Sequence, residues 1–326
     1  MYPELFKIPF THLTVKSYGL MMVIAFLAAV FLIRRLSRNI TPDRRLITNA
    51  ALYSLIAGVA GARLFYVLHH LDQFHGNLLS VFAIWKGGLE LLGGVVLAIT
   101  VIVLYLWYHK LPIRRYLDIL AIGLLLALAF GRIGCFLNGC CFGKPTNLPW
   151  AVRFPHGSLA YISQVNANLQ RNRPNPQLKL PPEFFSYVDK NGTWYPKPYK
   201  DLTENQKDTL IENNKHRSLP VHPTQLYSSL NGALLCLILY LFWRRTQKNY
   251  NSKNTGLFAK PGCTFALMFV LYGVTRFFIE FARDDNPFEF DGLTVSQNIS
   301  IALIVLGAVS MVTFERMKHK ITSHQP

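Results

Sequence analysis

The sequence predicts an all-α polytopic membrane protein with seven transmembrane helices, the N-terminus outside, the C-terminus cytoplasmic and a small extracytoplasmic head. Three observations lead there. Of 326 residues, 51% are hydrophobic and only 16% are charged, with much of the charge gathered between about Pro155 and Pro220 and in short basic clusters. Apolar runs recur at 17–33, 46–68, 88–108, 117–137, 224–243, 262–282 and 295–313, near the roughly 20 residues needed to cross a hydrocarbon core. The connections between them alternate between rich and poor in lysine and arginine.

That alternation orients the chain. Arg34, Arg35, Arg38, Arg44 and Arg45 follow the first run, and Lys110, Arg114 and Arg115 separate the third from the fourth. Arg244, Arg245, Lys248, Lys253 and Lys260 separate the fifth from the sixth, and Arg316, Lys318 and Lys320 follow the seventh. The other short connections carry only Lys86 and Arg283, so the lysine and arginine bias puts the basic side in the cytoplasm. The first run carries its basic residues behind it and has no small-residue cleavage site, which reads as a retained anchor and not a signal peptide. The net charge of +17 is accounted for by topology and anionic headgroups, and no nucleic-acid partner is expected. Residues 1–326 are expected to form a single transmembrane catalytic domain, in which residues 144–221 are the head, inserted between the fourth and fifth spans. Phe184, Phe185, Tyr187, Trp194 and Tyr195 suggest that this head packs onto the membrane body.

Intramembrane arginines are costly and are kept where a partner or an anionic ligand meets them. Arg132 stands near the end of the fourth run in the stretch Gly131-Arg132-Ile133-Gly134-Cys135-Phe136-Leu137-Asn138-Gly139-Cys140-Cys141-Phe142-Gly143. In a helix, Gly131, Cys135, Gly139 and Gly143 would form a stripe of small residues suited to close helix contact, but Arg132 and Asn138 do not fit a packing seam. In the sixth run Tyr272, Arg276 and Glu280 share one helix face. They read either as a neutralising Arg–Glu pair or as part of a phosphate clamp, for which the planar guanidinium is well shaped. Arg63, after Gly61-Ala62, is explained equally by snorkelling and by function. The glycine pairs Gly87-Gly88 and Gly93-Gly94 either expose backbone to a ligand or permit close packing.

Together these segments resemble the bacterial prolipoprotein diacylglyceryl transferases, whose signature is similar to Gly131 through Gly139. The family order continues through Tyr18-Gly19-Leu20-Met21, Gly61-Ala62-Arg63, the glycine pairs, His222-Pro223-Thr224-Gln225-Leu226-Tyr227, Tyr272 to Glu280 and Ser296-Gln297. The resemblance implies a multi-pass enzyme of the bacterial inner membrane, its site facing the outer leaflet. Such an enzyme moves diacylglycerol from phosphatidylglycerol to the lipobox cysteine of a preprolipoprotein, makes a thioether and releases glycerol phosphate, among membrane lipids and without a metal or organic cofactor. It implies catalytic roles for Arg132, Arg276, Tyr272 and Glu280, and substrate binding by Arg132, Asn138, Gly139, Gly143, Tyr18 and Arg63. The chain departs from the family at three positions: Leu92 replaces a histidine carried by some members, and Cys135 and Cys140 replace an amide and a carboxylate. The base that activates the acceptor thiol is therefore left among Glu280, Tyr272, Tyr18 and, more weakly, His222.

Cys135, Cys140 and Cys141 invite a disulfide or a metal site. Adjacent Cys140-Cys141 is poor zinc spacing without a histidine pair, so no metal is expected, and Cys236 and Cys263 read as apolar fill. Two other classes use the same residues. A transporter or flippase for an anionic lipid would show paired repeats, which are not evident, and a scaffold would leave the arginines merely structural.

Overall fold

Each apolar run becomes a helix in the computed structural model, which describes residues 4–7, 14–41, 43–71, 74, 78–82, 88, 90–189, 192–249, 258–288 and 292–317. Trp85, Lys86, Gly87, Leu89, Asn191, Lys253, Lys318 and Lys320 lie outside them. The long helices are α1 (Ser17–Leu36), α2 (Arg44–His69), α3 (Leu91–Tyr108) and α4 (Ile113–Asn138), then α7 (Thr224–Asn249), α8 (Cys263–Phe281) and α9 (Val295–Arg316), with the shorter α5 (Leu159–Val165) and α6 (Glu204–Glu212) between α4 and α7. Six of the long helices have the length and composition to cross a membrane. The 18 residues of α3, at 1.5 Å per residue, reach about 27 Å and are also sufficient. Their outer faces are apolar: Phe31 is 69%, Leu230 63% and Phe278 65% exposed. Faces of that kind suit hydrocarbon and not water. The protein is an all-α polytopic membrane protein, to which two small antiparallel hairpins are added.

Helix starts follow local chemistry. The Asp43 carboxylate accepts from the Arg45 N–H at 2.8 Å and caps α2. Thr294 and Gln297 exchange side-chain and backbone bonds in a capping box at α9, satisfying amides that a helix otherwise leaves unpaired.

The chain divides into two compact units, residues 29–123 and residues 1–28 with 124–326. In the first, α2 and α3 meet through glycine. A Cβ added at Gly61 would lie 2.5 Å from the Gly93 carbonyl oxygen and 2.7 Å from Leu97 Cβ, and one at Gly94 would lie 2.8 Å from the Gly58 carbonyl. Gly93 and Gly94 are therefore a close-packed interface inside α3, and of their two readings the packing one holds. Gly61→Ala is expected to destabilise the protein by about 1–3 kcal/mol, the usual cost of overpacking, seen as a lower unfolding temperature in detergent. Gly19→Ala is its control, because a Cβ there meets nothing within 4 Å. Equal midpoints for the two variants would refute the backbone contact.

Arg63 belongs to the same unit. Its guanidinium donates to three carbonyls, from Nε to Val81 at 2.7 Å, from Nη2 to Ser80 at 2.7 Å and from Nη1 to Gly88 at 3.0 Å. It also lies over the rings of Tyr66 and Phe74. It is a buried clamp on the segment between α2 and α3 and does not snorkel outward.

The second unit holds the first half of α1, the second half of α4, α7 to α9 and the polar insertion. A short hairpin, β1 (Glu4–Lys7) with β2 (Thr14–Lys16), precedes α1. The insertion carries a second, β3 (Phe185–Val188) with β4 (Trp194–Pro196). Its aromatic residues pack mainly on one another, contrary to the expectation that they would dock on the membrane body. Phe184 is buried with Leu202 and Leu210, Tyr187 stacks on Tyr195 with centroids 4.7 Å apart, and Phe185 meets Trp194 at 5.2 Å. The insertion has enough apolar surface to build small cores of its own. Its base is joined to the segment after α4 by Phe142, Phe154, Ala160 and Val221.

Candidate functional site

Arg132 sits one and a half turns before the end of α4, and that end is built by the signature itself. Gly139 has φ +77, the left-handed conformation that glycine adopts without a steric cost. Its N–H donates to the Phe136 carbonyl and the Cys140 N–H to the Cys135 carbonyl, both at 3.2 Å, the paired bonds of a Schellman motif. The expected stripe therefore breaks at Cys135. Gly139 ends the helix, and Gly143 lies where three backbones cross, with a Cβ there 2.6 Å from the His222 carbonyl oxygen and 2.7 Å from that of Ala282. Close helix contact falls to Gly134, where an added Cβ would lie 3.0 Å from Met21 Cβ and 3.3 Å from the Tyr18 ring. Gly139 and Gly143 thus shape the backbone of the site, and only through it can they bear on a substrate.

The chain after Gly139 is pinned by the start of α7. The Gln225 amide donates to the Cys140 carbonyl and the Thr224 hydroxyl to the Cys141 carbonyl, each at 2.7 Å. Cys141 is held at φ +59, uncommon for a residue with a Cβ. The Asn138 side chain lies within interaction range of the Cys140 thiol. The sulfur atoms of Cys135, Cys140 and Cys141 all lie within 4.8 Å of one another. The neighbouring Cys135 and Cys140 thiols, and after them the charges of Arg283 and Arg132, hold the Cys141 thiol below its ordinary range against the opposing effect of burial.

Arg132 is half-buried, and its guanidinium makes no hydrogen bond or ion pair among the described residues. The charge of Arg276, the Tyr18 hydroxyl and the Cys141 thiol lie within its electrostatic reach. The two arginines expected to act together are neighbours, but they differ in state. Arg276 forms an ion pair with Glu280 at 2.6 Å and donates to the Ser296 hydroxyl at 2.8 Å, so its fork is already engaged. Tyr272 lies within electrostatic reach of Arg276, on the predicted face.

Glu280 is not placed as a free base. Its side chain is fully buried, and its oxygens accept from Asn286 at 2.6 Å and Thr294 at 3.0 Å as well as pairing with Arg276. Arg283 stands 3.7 Å away. The same Thr294 caps α9, so the carboxylate ties the end of α8 to the start of α9. His222 shares a hydrogen bond with the Tyr227 hydroxyl at 3.2 Å, which in turn accepts from Trp150 at 2.7 Å.

Sequence reading missed most of the surrounding network. Arg283, taken as a connection charge, is only 4% exposed and forks onto Asp285 with contacts of 2.8 and 2.6 Å. From the insertion, Arg173 pairs with Asp284 at 2.6 Å, and Arg171 donates to the Arg283 carbonyl at 3.1 Å and lies over the Phe288 ring. Among the described residues, Arg171, Arg173, Arg276 and Arg283 face Glu280, Asp284 and Asp285, one guanidinium more than carboxylates, and Arg132 adds another positive charge. The compact run Arg283-Asp284-Asp285, in a connection with no other lysine or arginine, was the available signal.

This is a multi-pass helical membrane protein in which, among the described residues, a guanidinium without a hydrogen bond or ion pair stands near a helix end beside a buried network of arginines and carboxylates. The comparisons give that class a family. The family model described as prolipoprotein diacylglyceryl transferase matches residues 3–313, and the chain belongs to that family. It is similar to proteins named phosphatidylglycerol–prolipoprotein diacylglyceryl transferase. The one from Clostridium tetani is 27% identical over 307 residues, covering 94% of this chain and 95% of the relative. The one from Burkholderia cenocepacia is 29% identical over 314 residues, covering 92% and 90%. That from Thermosynechococcus vestitus is 28% identical over 297 residues, covering 91% and 87%.

Proposed function

We propose that this chain transfers the diacylglyceryl group of phosphatidylglycerol to the lipobox cysteine of a preprolipoprotein, forming a thioether and releasing glycerol phosphate. The observation that carries this reading is Arg132, a half-buried guanidinium with no hydrogen-bond or ion-pair partner among the described residues, in a chain that matches the family almost from end to end. Phosphatidylglycerol has one phosphodiester charge. Attack by the acceptor sulfur on the glycerol carbon breaks the bond to the phosphate oxygen and leaves added negative charge there. A preorganised donor in a site that excludes water stabilises such charge strongly. Arg132 supplies that donor. Arg276, paired with Glu280, holds its neighbours and lends a field. Tyr18 and Tyr272 lie within electrostatic reach of the two arginines, and Asn138 lies beside the Cys140 thiol. The test is transfer by the detergent-purified protein from phosphatidylglycerol to a lipobox peptide, followed by the mass of the lipidated peptide. Phosphatidylglycerol movement between leaflets of a vesicle without peptide modification would favour a transporter.

The reaction would take place on the outer side of a bacterial inner membrane, with residues 144–221 outside. The support is the basic character of the connections after α1, α3, α7 and α9 under the positive-inside rule. Reporter fusions after Arg38, Arg115 and Arg245 are expected to read cytoplasmic and one after Trp194 extracytoplasmic. An extracytoplasmic signal at Arg115 would overturn this orientation.

A further inference from the structure

We infer that Cys135, Cys140 and Cys141 form a three-thiolate site for a thiophilic divalent cation of the zinc class, open at its fourth position. Sequence spacing argued against metal because Cys140 and Cys141 are adjacent. The fold removes that objection. The Schellman turn at Gly139 folds Cys140 back on the last turn of α4, and the left-handed conformation of Cys141 (φ +59) reverses the chain again. Three sulfur atoms within 4.8 Å of one another result. Zinc–sulfur bonds of about 2.3 Å at tetrahedral angles put sulfurs about 3.8 Å apart, so the trio needs only a small contraction.

Two further features suit a bound ion. Three thiolates around a divalent cation carry one net negative charge, and Arg132 and Arg283 both lie within electrostatic reach of Cys141. The carbonyls of Cys140 and Cys141 are fixed by Gln225 and Thr224, so the donors are held by their surroundings, as outer-shell bonds hold the ligands of a metal. A cavity of about 380 Å³, lined by Cys140, Cys141, Leu159, Ser163, Asn168 and Asp285 among others, opens onto the cluster. Three protein ligands and an open side are the arrangement of reactive and not structural zinc.

The test uses the full chain, purified in detergent under reducing, oxygen-free conditions and titrated with Co(II), whose thiolate charge-transfer absorption reports sulfur ligation. One equivalent of Co(II) should bind and be displaced by one equivalent of Zn(II). Cys135→Ser, Cys140→Ser and Cys141→Ser should each weaken binding at least tenfold, and Cys236→Ser should leave it unchanged. No absorption, or absorption that survives the triple serine variant, would overturn the site, as would a disulfide among the three in protein isolated without reductant. The absorption is read without any transfer assay, so metal binding without transfer would sink the proposed function and spare the site, and transfer without absorption would spare the function and sink the site.

Discussion

Arg132→Ala is expected to lower diacylglyceryl transfer by about a hundredfold or more, the usual consequence of removing a donor aimed at charge that develops in the transition state. Arg132→Lys should be strongly impaired as well. Lysine keeps the charge but presents a compact ammonium in place of a planar fork that can hold two phosphate oxygens at once. Stability should change little in either variant, because the guanidinium makes no hydrogen bond or ion pair among the described residues. The measurement is the transfer rate normalised to folded protein, with the unfolding temperature recorded alongside. Near-wild-type rates in both variants would remove Arg132 from the reaction.

Glu280→Gln should act in the opposite way, through the fold. The carboxylate is fully buried among Arg276, Arg283, Asn286 and Thr294, and its loss leaves two guanidinium groups short of a counter-charge in a network already rich in positive charge. Removing one member of a buried ion pair typically costs about 3–5 kcal/mol, so the variant should accumulate poorly and unfold at a markedly lower temperature. Transfer should fall in proportion to the folded protein lost. A variant that unfolds like wild type yet transfers nothing would return Glu280 to the role of general base, which its hydrogen bonds argue against.

Only part of the contrast between these two arginine environments was visible in the sequence, where Arg132 and Arg276 are each the one guanidinium of an apolar run near small residues. The spacing of Arg276 and Glu280 does announce a pair, since residues four apart meet on one helix face. No spacing rule announces that Ser296, Asn286 and Thr294, on another helix and its approach, complete that pair, because these bonds form between segments whose separation depends on how α8 and α9 pack. For the same reason Arg171 and Arg173 read as ordinary charges of a polar insertion.

What the sequence determined by itself is set by local physics and by the solvent. Each helix is present because a membrane demands about twenty consecutive apolar residues with every backbone group bonded internally. The end of α4 at Asn138 is present because Gly139 follows it and enters the left-handed region cheaply. The family signature is local in the same sense and could be read directly. Tertiary structure decided the rest: Gly61 and Gly93 as a backbone contact, Arg63 as a clamp on carbonyls, Glu280 as the centre of a buried network, and three cysteines drawn within ligand distance. Those outcomes depend on which groups meet after the helices pack. In a low-dielectric interior an unpaired charge is so costly that the partner found there determines whether a residue supports the fold or remains free to act.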